Sequence, residues 1–178
     1  MEDKNTTRKF FLLFTGLSGA GKSTVANALK RKLTANNKAT YLLDGDVLRK
    51  GINKDLSFSP EDRKENLRRM AEIASLFLDT GYIVLSAFIA PYKESRSMIQ
   101  DIIGKENYLE IFMNTSIETC IKRDVKGLYE KARKGEILNM TGINAPYETP
   151  EHPFLEIKED SSLEETVNLI FNSIKNKL

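Results

Sequence analysis

Nine consecutive residues carry the most specific chemistry in this chain: Gly16, Leu17, Ser18, Gly19, Ala20, Gly21, Lys22, Ser23 and Thr24. Gly16, Gly21, Lys22 and Ser23 fill the four fixed places of G-x-x-x-x-G-K-[ST]. Glycines let such a loop curl until its backbone N–H groups converge on an anion, and a following helix adds its positive N-terminal end. Lys22 then reaches the β- and γ-phosphates of a nucleoside triphosphate, and the Ser23 hydroxyl holds Mg²⁺. ATP and Mg²⁺ are therefore the expected cofactors.

Three further groups could complete a phosphoryl transfer. Asp44 and Asp46 flank Gly45, and Arg49 follows three residues later. One acid can orient an acceptor hydroxyl or receive its proton, and the other can hold water on the metal. Arg49 can pair with an anionic group. Next come Phe58, Arg63 and Asn66, the last two on one face of an expected helix. A ring, a guanidinium and an amide can stack on a base and hold a phosphate or sulfate. Last is a basic run through Arg123, Lys126, Lys131, Arg133 and Lys134, able to bring cations over a triphosphate on closure. The plainer alternatives are an Asp-Gly turn and solvated charged faces. Two absences narrow the class. Asn53-Lys54-Asp55 lacks the spacer of a guanine-reading Asn-Lys-x-Asp, and the third expected strand ends in Ser86-Ala87 instead of an acid. The acids stand on the second strand, which points to a small-molecule kinase with its acceptor on that side.

These residues must be positioned by alternating strands and helices. Apolar runs at 10–15, 40–44, 82–86, 108–113 and 154–157 read as strands. Helices are expected over 21–36, 61–79, 93–103, around Cys120 and over 162–176. Ser59 is the expected cap and Pro60 the first residue of the second of these, with Leu67, Ala71, Ala74 and Leu78 as its apolar stripe and Gly81 as its stop. Repeated β-then-α units imply an α/β fold, a mostly parallel five-stranded sheet with helices on both faces. Ligands then gather at the carboxyl ends of the strands. The stretch 126–153, rich in Gly, Lys, Asn and Pro, reads as an irregular lid.

The bulk numbers agree with one domain over 1–178: apolar residues are 40% and charged residues 29%. Basic and acidic residues nearly balance, 27 against 25 for a net charge of +2, which is no footprint for nucleic acid. The single cysteine, Cys120, forms no internal disulfide and reads as a small buried hydrophobe. His152 reads as a surface loop residue, and with no His/Cys cluster a transition-metal site is not expected. The polar N-terminus has no signal-peptide apolar core and no run approaches membrane length, so a cytoplasmic protein without a membrane partner is expected.

Taken together the motifs resemble those of adenylylsulfate kinases, members of the P-loop kinase superfamily. The match runs from Phe11 to Ile157 through Phe14–Thr24, Leu43-Asp-Gly-Asp-Val-Leu-Arg49, Gly51-Ile-Asn-Lys-Asp-Leu56, Glu65-Asn-Leu-Arg-Arg69, Ala87-Phe-Ile-Ala-Pro-Tyr92, Arg123-Asp-Val-Lys-Gly-Leu-Tyr129, Thr141-Gly-Ile143 and Pro146-Tyr-Glu148. The resemblance implies ATP-dependent phosphorylation of the 3′-hydroxyl of adenosine 5′-phosphosulfate, a small-molecule nucleotide acceptor. It implies Arg123 on ATP, Asp46 near the acceptor hydroxyl, and Arg49, Arg63 and Asn66 on its phosphosulfate and ribose. It implies Phe58 against its base, Ile89 and Lys126 as further contacts, and a homodimer. Where the family has a serine that carries phosphate in some members, this chain has Ala90, which rules out a phosphoenzyme at that position. Met140 replaces a phenylalanine that packs on the acceptor base. A smaller base between Phe58 and Met140 would suit a related branch acting on cytidine diphosphoramidate in capsule pathways. A non-catalytic nucleotide-binding module is a third reading, against which both acids and Lys22 stand.

Overall fold

The computed structural model describes residues 9–178, so the polar N-terminal stretch through Arg8 lies outside the described residues. Five strands, β1 (Phe11–Thr15), β2 (Thr40–Asp44), β3 (Ile83–Ala87), β4 (Tyr108–Asn114) and β5 (Leu155–Lys158), form one sheet in the order β2-β3-β1-β4-β5. Each pairing is parallel, so the sheet is wholly parallel where a mostly parallel one was expected. Among the described residues seven helices connect and cover it: α1 (Lys22–Ala35), α2 (Gly45–Lys50), α3 (Pro60–Asp79), α4 (Lys93–Ile103), α5 (Ile117–Arg123), α6 (Leu128–Arg133) and α7 (Leu163–Ile174), the last followed by a 3₁₀ turn at Lys175–Lys177.

The central strands β1 and β3 are buried along their whole length, as parallel strands covered on both faces must be. Side chains alternate across β1. Leu12 and Phe14 point to one face and pack with Val25, Leu29 and Leu33 of α1 and Val167 and Ile170 of α7. Phe11 and Leu13 point to the other face and pack with Leu67, Met70, Ala74 and Leu78 of α3 and Ile99 and Ile103 of α4. The expected stripe of α3 is therefore its buried stripe. Its start is as expected too: Ser59 accepts the Asp62 N–H, and Pro60 occupies the first turn. Gly81 (φ +84°) donates to Leu78 O at 2.9 Å and turns the chain into β3.

Two short helices were not anticipated. Asp44 caps α2 by accepting the Asp46 N–H, so Asp44-Gly45 is a helix start and not the Asp-Gly turn of the plainer alternative. α6 lies inside the stretch 126–153, where Asp124 accepts the N–H groups of Tyr129 and Glu130. Cys120 is buried and His152 is exposed in its loop. No helix among the described residues is long and apolar enough to cross a membrane.

Candidate active site

The strand ends Thr15, Asp44 and Ala87 lie side by side at one edge of the sheet, and the order reverses at β1, with β2 and β3 to one side and β4 and β5 to the other. A cleft of about 710 Å³ opens there, where α/β sheets take ligands.

On its phosphate side the loop from β1 to α1 is shaped by glycine. Gly16 adopts φ +146°, and a Cβ on it would stand 2.7 Å from the Met113 carbonyl oxygen, so no larger residue fits against β4. α1 begins after Gly21 with no side-chain cap, which leaves its first N–H groups for an anion. Residues 18–24 line the cleft. Gly16 and Leu17 do not; their carbonyls accept the Lys22 ammonium at 2.9 and 2.6 Å, so Lys22 arches over the loop. Burial, with help from the nearby Lys126, pushes the Lys22 ammonium down to about 8, against the opposing pull of Cys120, Asp46 and Asp44. Ser23 Oγ donates to Asp44 Oδ2 at 2.7 Å. Tyr129 OH donates to Ser18 O at 2.8 Å and Arg123 NH1 to Gly19 O at 3.2 Å, so the chain beyond β4 braces the loop.

The acceptor side is assembled from separate segments. Asp46, Arg49, Phe58, Arg63, Asn66, Ile89 and Lys126 all face the same cleft. Asp46 is ion-paired with Lys126 across its mouth, both half exposed. The Arg49 guanidinium lies 4.3 Å from the Phe58 ring centroid and donates to the carbonyls of Leu56 and Ser57 at 3.2 and 2.9 Å. Burial, then the neighbouring Arg63, holds its pKa below the ordinary value. Arg63 donates to Phe58 O and to Thr141 Oγ1, each at 3.0 Å, and to Asn139 O, tying α3 to the segment after α6. Phe58 itself is left 61% exposed. Met140 is placed differently from expectation. It is 5% exposed, packed in the core on the α1 and α7 face, and it is Thr141 that reaches the cleft. The Met140 carbonyl accepts three N–H groups from Ile143, Asn144 and Ala145, which turns its side chain inward.

Sequence patterns missed several parts of this site. Thr115, Lys158, Glu159, Ser161 and Thr166 line the cleft beyond the phosphate loop, brought there by β4, β5 and the start of α7. Ser116, with its Oγ 2.9 Å from Glu159 Oε2, joins those two strand ends. Arg96 was also missed. It is buried, pairs with Glu110 at 3.1 Å, and donates to Ala90 O and Glu148 O at 2.9 and 2.7 Å. That fixes the 89–91 wall, where Ala90 holds φ +44°. Tyr147 OH, 2.9 Å from Thr15 Oγ1, closes the same network onto β1. Of these, Ser116 is readable as a helix cap, and Tyr147 and Glu148 fall in the Pro146-Tyr-Glu148 motif.

Among the described residues no cluster of His, Cys, Asp or Glu could hold a metal by itself. The Ser23 hydroxyl and Asp44 carboxylate, in contact at the cleft, are hard oxygen donors of the kind Mg²⁺ shares with substrate phosphates.

Comparison with known proteins gives a consistent outcome. A family model described as adenylylsulphate kinase matches residues 8–158. A curated protein of Bacteroides thetaiotaomicron named adenylyl-sulfate kinase is 54% identical over 166 residues, covering 93% of this chain and 83% of its own length. The solved structure of the Mycobacterium tuberculosis APS kinase CysC, in complex with AMPPNP and APS, superposes with a TM-score of 0.92 at 42% identity, covering 94% of this chain and 98% of that one. A hexameric APS kinase from Thiobacillus denitrificans is 28% identical with a TM-score of 0.71, covering 99% of this chain and 31% of that one.

Proposed function

Because the chain belongs to the adenylylsulphate kinase family, we propose that it transfers the γ-phosphoryl group of ATP to the 3′-hydroxyl of adenosine 5′-phosphosulfate. The products are ADP and 3′-phosphoadenosine 5′-phosphosulfate. The observation that carries this is the meeting, in one cleft, of the Lys22 loop with Asp46, Arg49, Phe58, Arg63 and Asn66.

The new bond joins the acceptor 3′-oxygen to the γ-phosphorus, and the bond from that phosphorus to the β–γ bridging oxygen breaks. Asp46, at the first turn of α2, orients the hydroxyl and receives its proton as the bond forms. Lys22 leaves the Gly16 and Leu17 carbonyls for the phosphates, where its charge is matched to the triphosphate. Ser23 and Asp44 would hold Mg²⁺, which would supply charge neutralisation to the phosphates. Arg123 lies over the loop on the ATP side. Across the cleft Arg49 and Arg63 meet the phosphosulfate, Asn66 the ribose, and Phe58 the base, with Ile89 and Lys126 as walls. Ala90 has no hydroxyl, so transfer is direct.

A cytidine acceptor loses its argument with Met140 in the core, and the curated relatives carry the adenylyl-sulfate name. The same reading places the reaction in the cytoplasm and the chain in a homodimer; the hexameric Thiobacillus relative supports self-association as such. The deciding experiment is coupled ADP release with adenosine 5′-phosphosulfate and cytidine diphosphoramidate side by side. A higher kcat/KM for the adenylyl acceptor is expected. No release with it, or a preference for the cytidine compound, overturns the proposal.

A further inference from the structure

Asn53, in the turn between α2 and α3, is fully buried (0% exposed), and no step above uses it. Its backbone N–H donates to Leu48 O at 2.9 Å, and its carbonyl accepts the Leu56 N–H at 3.2 Å. Leu56 O in turn accepts Arg49 NH1. Its side-chain Nδ2 donates to Asn66 Oδ1 at 2.9 Å and stands 3.5 Å from the Asn66 carbonyl oxygen. Asn53 therefore joins α2, which carries Asp46 and Arg49, to α3, which carries Arg63 and Asn66.

The sense of these bonds follows from the backbone. A main-chain carbonyl can only accept, so the arm of Asn53 that faces it is the NH₂ arm. That arm then meets Asn66 through the Asn66 oxygen. An amide has one accepting and one donating arm. With Oδ1 held by Asn53, the NH₂ of Asn66 is the arm left for the cleft, which Asn66 lines at only 6% exposure. Asn53 does this at a cost, because its own Oδ1 is buried without a partner.

We infer that Asn53 is a positioning residue that sets the amide of Asn66, so that at this point the acceptor half of the cleft offers a ligand oxygen the Asn66 N–H donors and not its carbonyl. The ligand chemistry it selects is an oxygen acceptor at that point, a ribose hydroxyl or an oxyanion. This rests on the acceptor occupying that half of the cleft.

The test is steady-state kinetics of the full chain with ATP and adenosine 5′-phosphosulfate. Asn53→Asp preserves size but its carboxylate cannot donate, and Asn53→Leu cannot donate at all. Both should raise the KM for the acceptor by about tenfold, the value of roughly one hydrogen bond, with the KM for ATP unchanged. In the wild-type chain, side-chain amide NMR should show the Asn66 NH₂ resonances shifting on addition of the acceptor, a readout that needs no variant to fold. Equal changes in both KM values, an unchanged acceptor KM, or Asn66 NH₂ resonances that ignore the acceptor each overturn the inference. Absence of acceptor-dependent ADP release in the wild-type chain counts instead against the proposed function, so the two failures are distinguishable.

Discussion

The two halves of the cleft are built by opposite means. The phosphate half is one continuous segment, Gly16–Thr24, between a buried strand and a long helix, and its key cation Lys22 is only 9% exposed. Lys22 is held within the loop by Gly16 and Leu17, and bonds from Ser23 to Asp44, Tyr129 to Ser18 and Arg123 to Gly19 brace the preformed loop from outside. The acceptor half draws on α2, the turn after it, α3, the 89–91 wall and the chain after α5. Its Arg side chains are held by carbonyls of other segments, as Arg63 is by Asn139 and Arg49 by Ser57. A site made from one segment is positioned by local geometry. A site made from five is positioned by cross-links, and it is there that substitutions should alter specificity with least effect on ATP.

The strongest way to break this contrast is Asp46→Asn. Turnover should fall by about 10²–10⁴-fold, the usual worth of a positioned acid–base group, while ATP binding measured by calorimetry stays near wild type. Near-normal turnover would remove Asp46 from the reaction. Arg63→Ala should act on one half alone. Loss of charge-assisted hydrogen bonds, about 1.5–3 kcal/mol, should raise the acceptor KM by roughly 10–100-fold and leave the KM for ATP unchanged. A matching rise for ATP would show the halves to be one unit.

The phosphate half should instead be sensitive to pH. In the free protein Lys22 is held down to about 8 by burial, and bound phosphates favour its charged form. Binding therefore takes up a proton above that value. ATP affinity should be flat below pH 8 and fall with rising pH, by up to about tenfold per unit. Calorimetry in buffers of different ionisation enthalpy should detect the proton uptake; affinity that rises with pH would contradict it. Phe58→Leu gives the smallest effect. Loss of an aromatic stack worth about 0.5–1.5 kcal/mol should raise the acceptor KM by roughly 2–10-fold, with ATP again unaffected.

Legibility in the sequence divides along the same line. The phosphate loop was readable because its geometry is local: glycines at fixed spacing, a strand before and a helix after. The stripe Leu67, Ala71, Ala74 and Leu78 was readable because helical period maps directly onto burial. Asp44 was read correctly as the acid at the end of the second strand, but the helix it caps was missed because a six-residue helix such as α2 has too little period to show. Met140 was assigned to the cleft by analogy with a family position, but nothing in its neighbours revealed that the Met140 carbonyl anchors a tight turn and sends the side chain inward. Arg96 and Glu110, fourteen residues apart on α4 and β4, carry no local sign of each other in the sequence, and their pairing exists only inside the fold.

The sequence by itself determined the class of chemistry and the order of the strands and longer helices, because phosphate loops, caps and apolar periods depend on residues within a turn or two of each other. Tertiary structure alone decided the acceptor half. Which arm of Asn66 faces the cleft depends on Asn53, thirteen residues away, and what holds the 89–91 wall depends on Arg96 reaching both Ala90 and Glu148. Those choices are made by hydrogen-bond partners that only the packed sheet and helices bring within 3 Å of one another, and no local spacing encodes them.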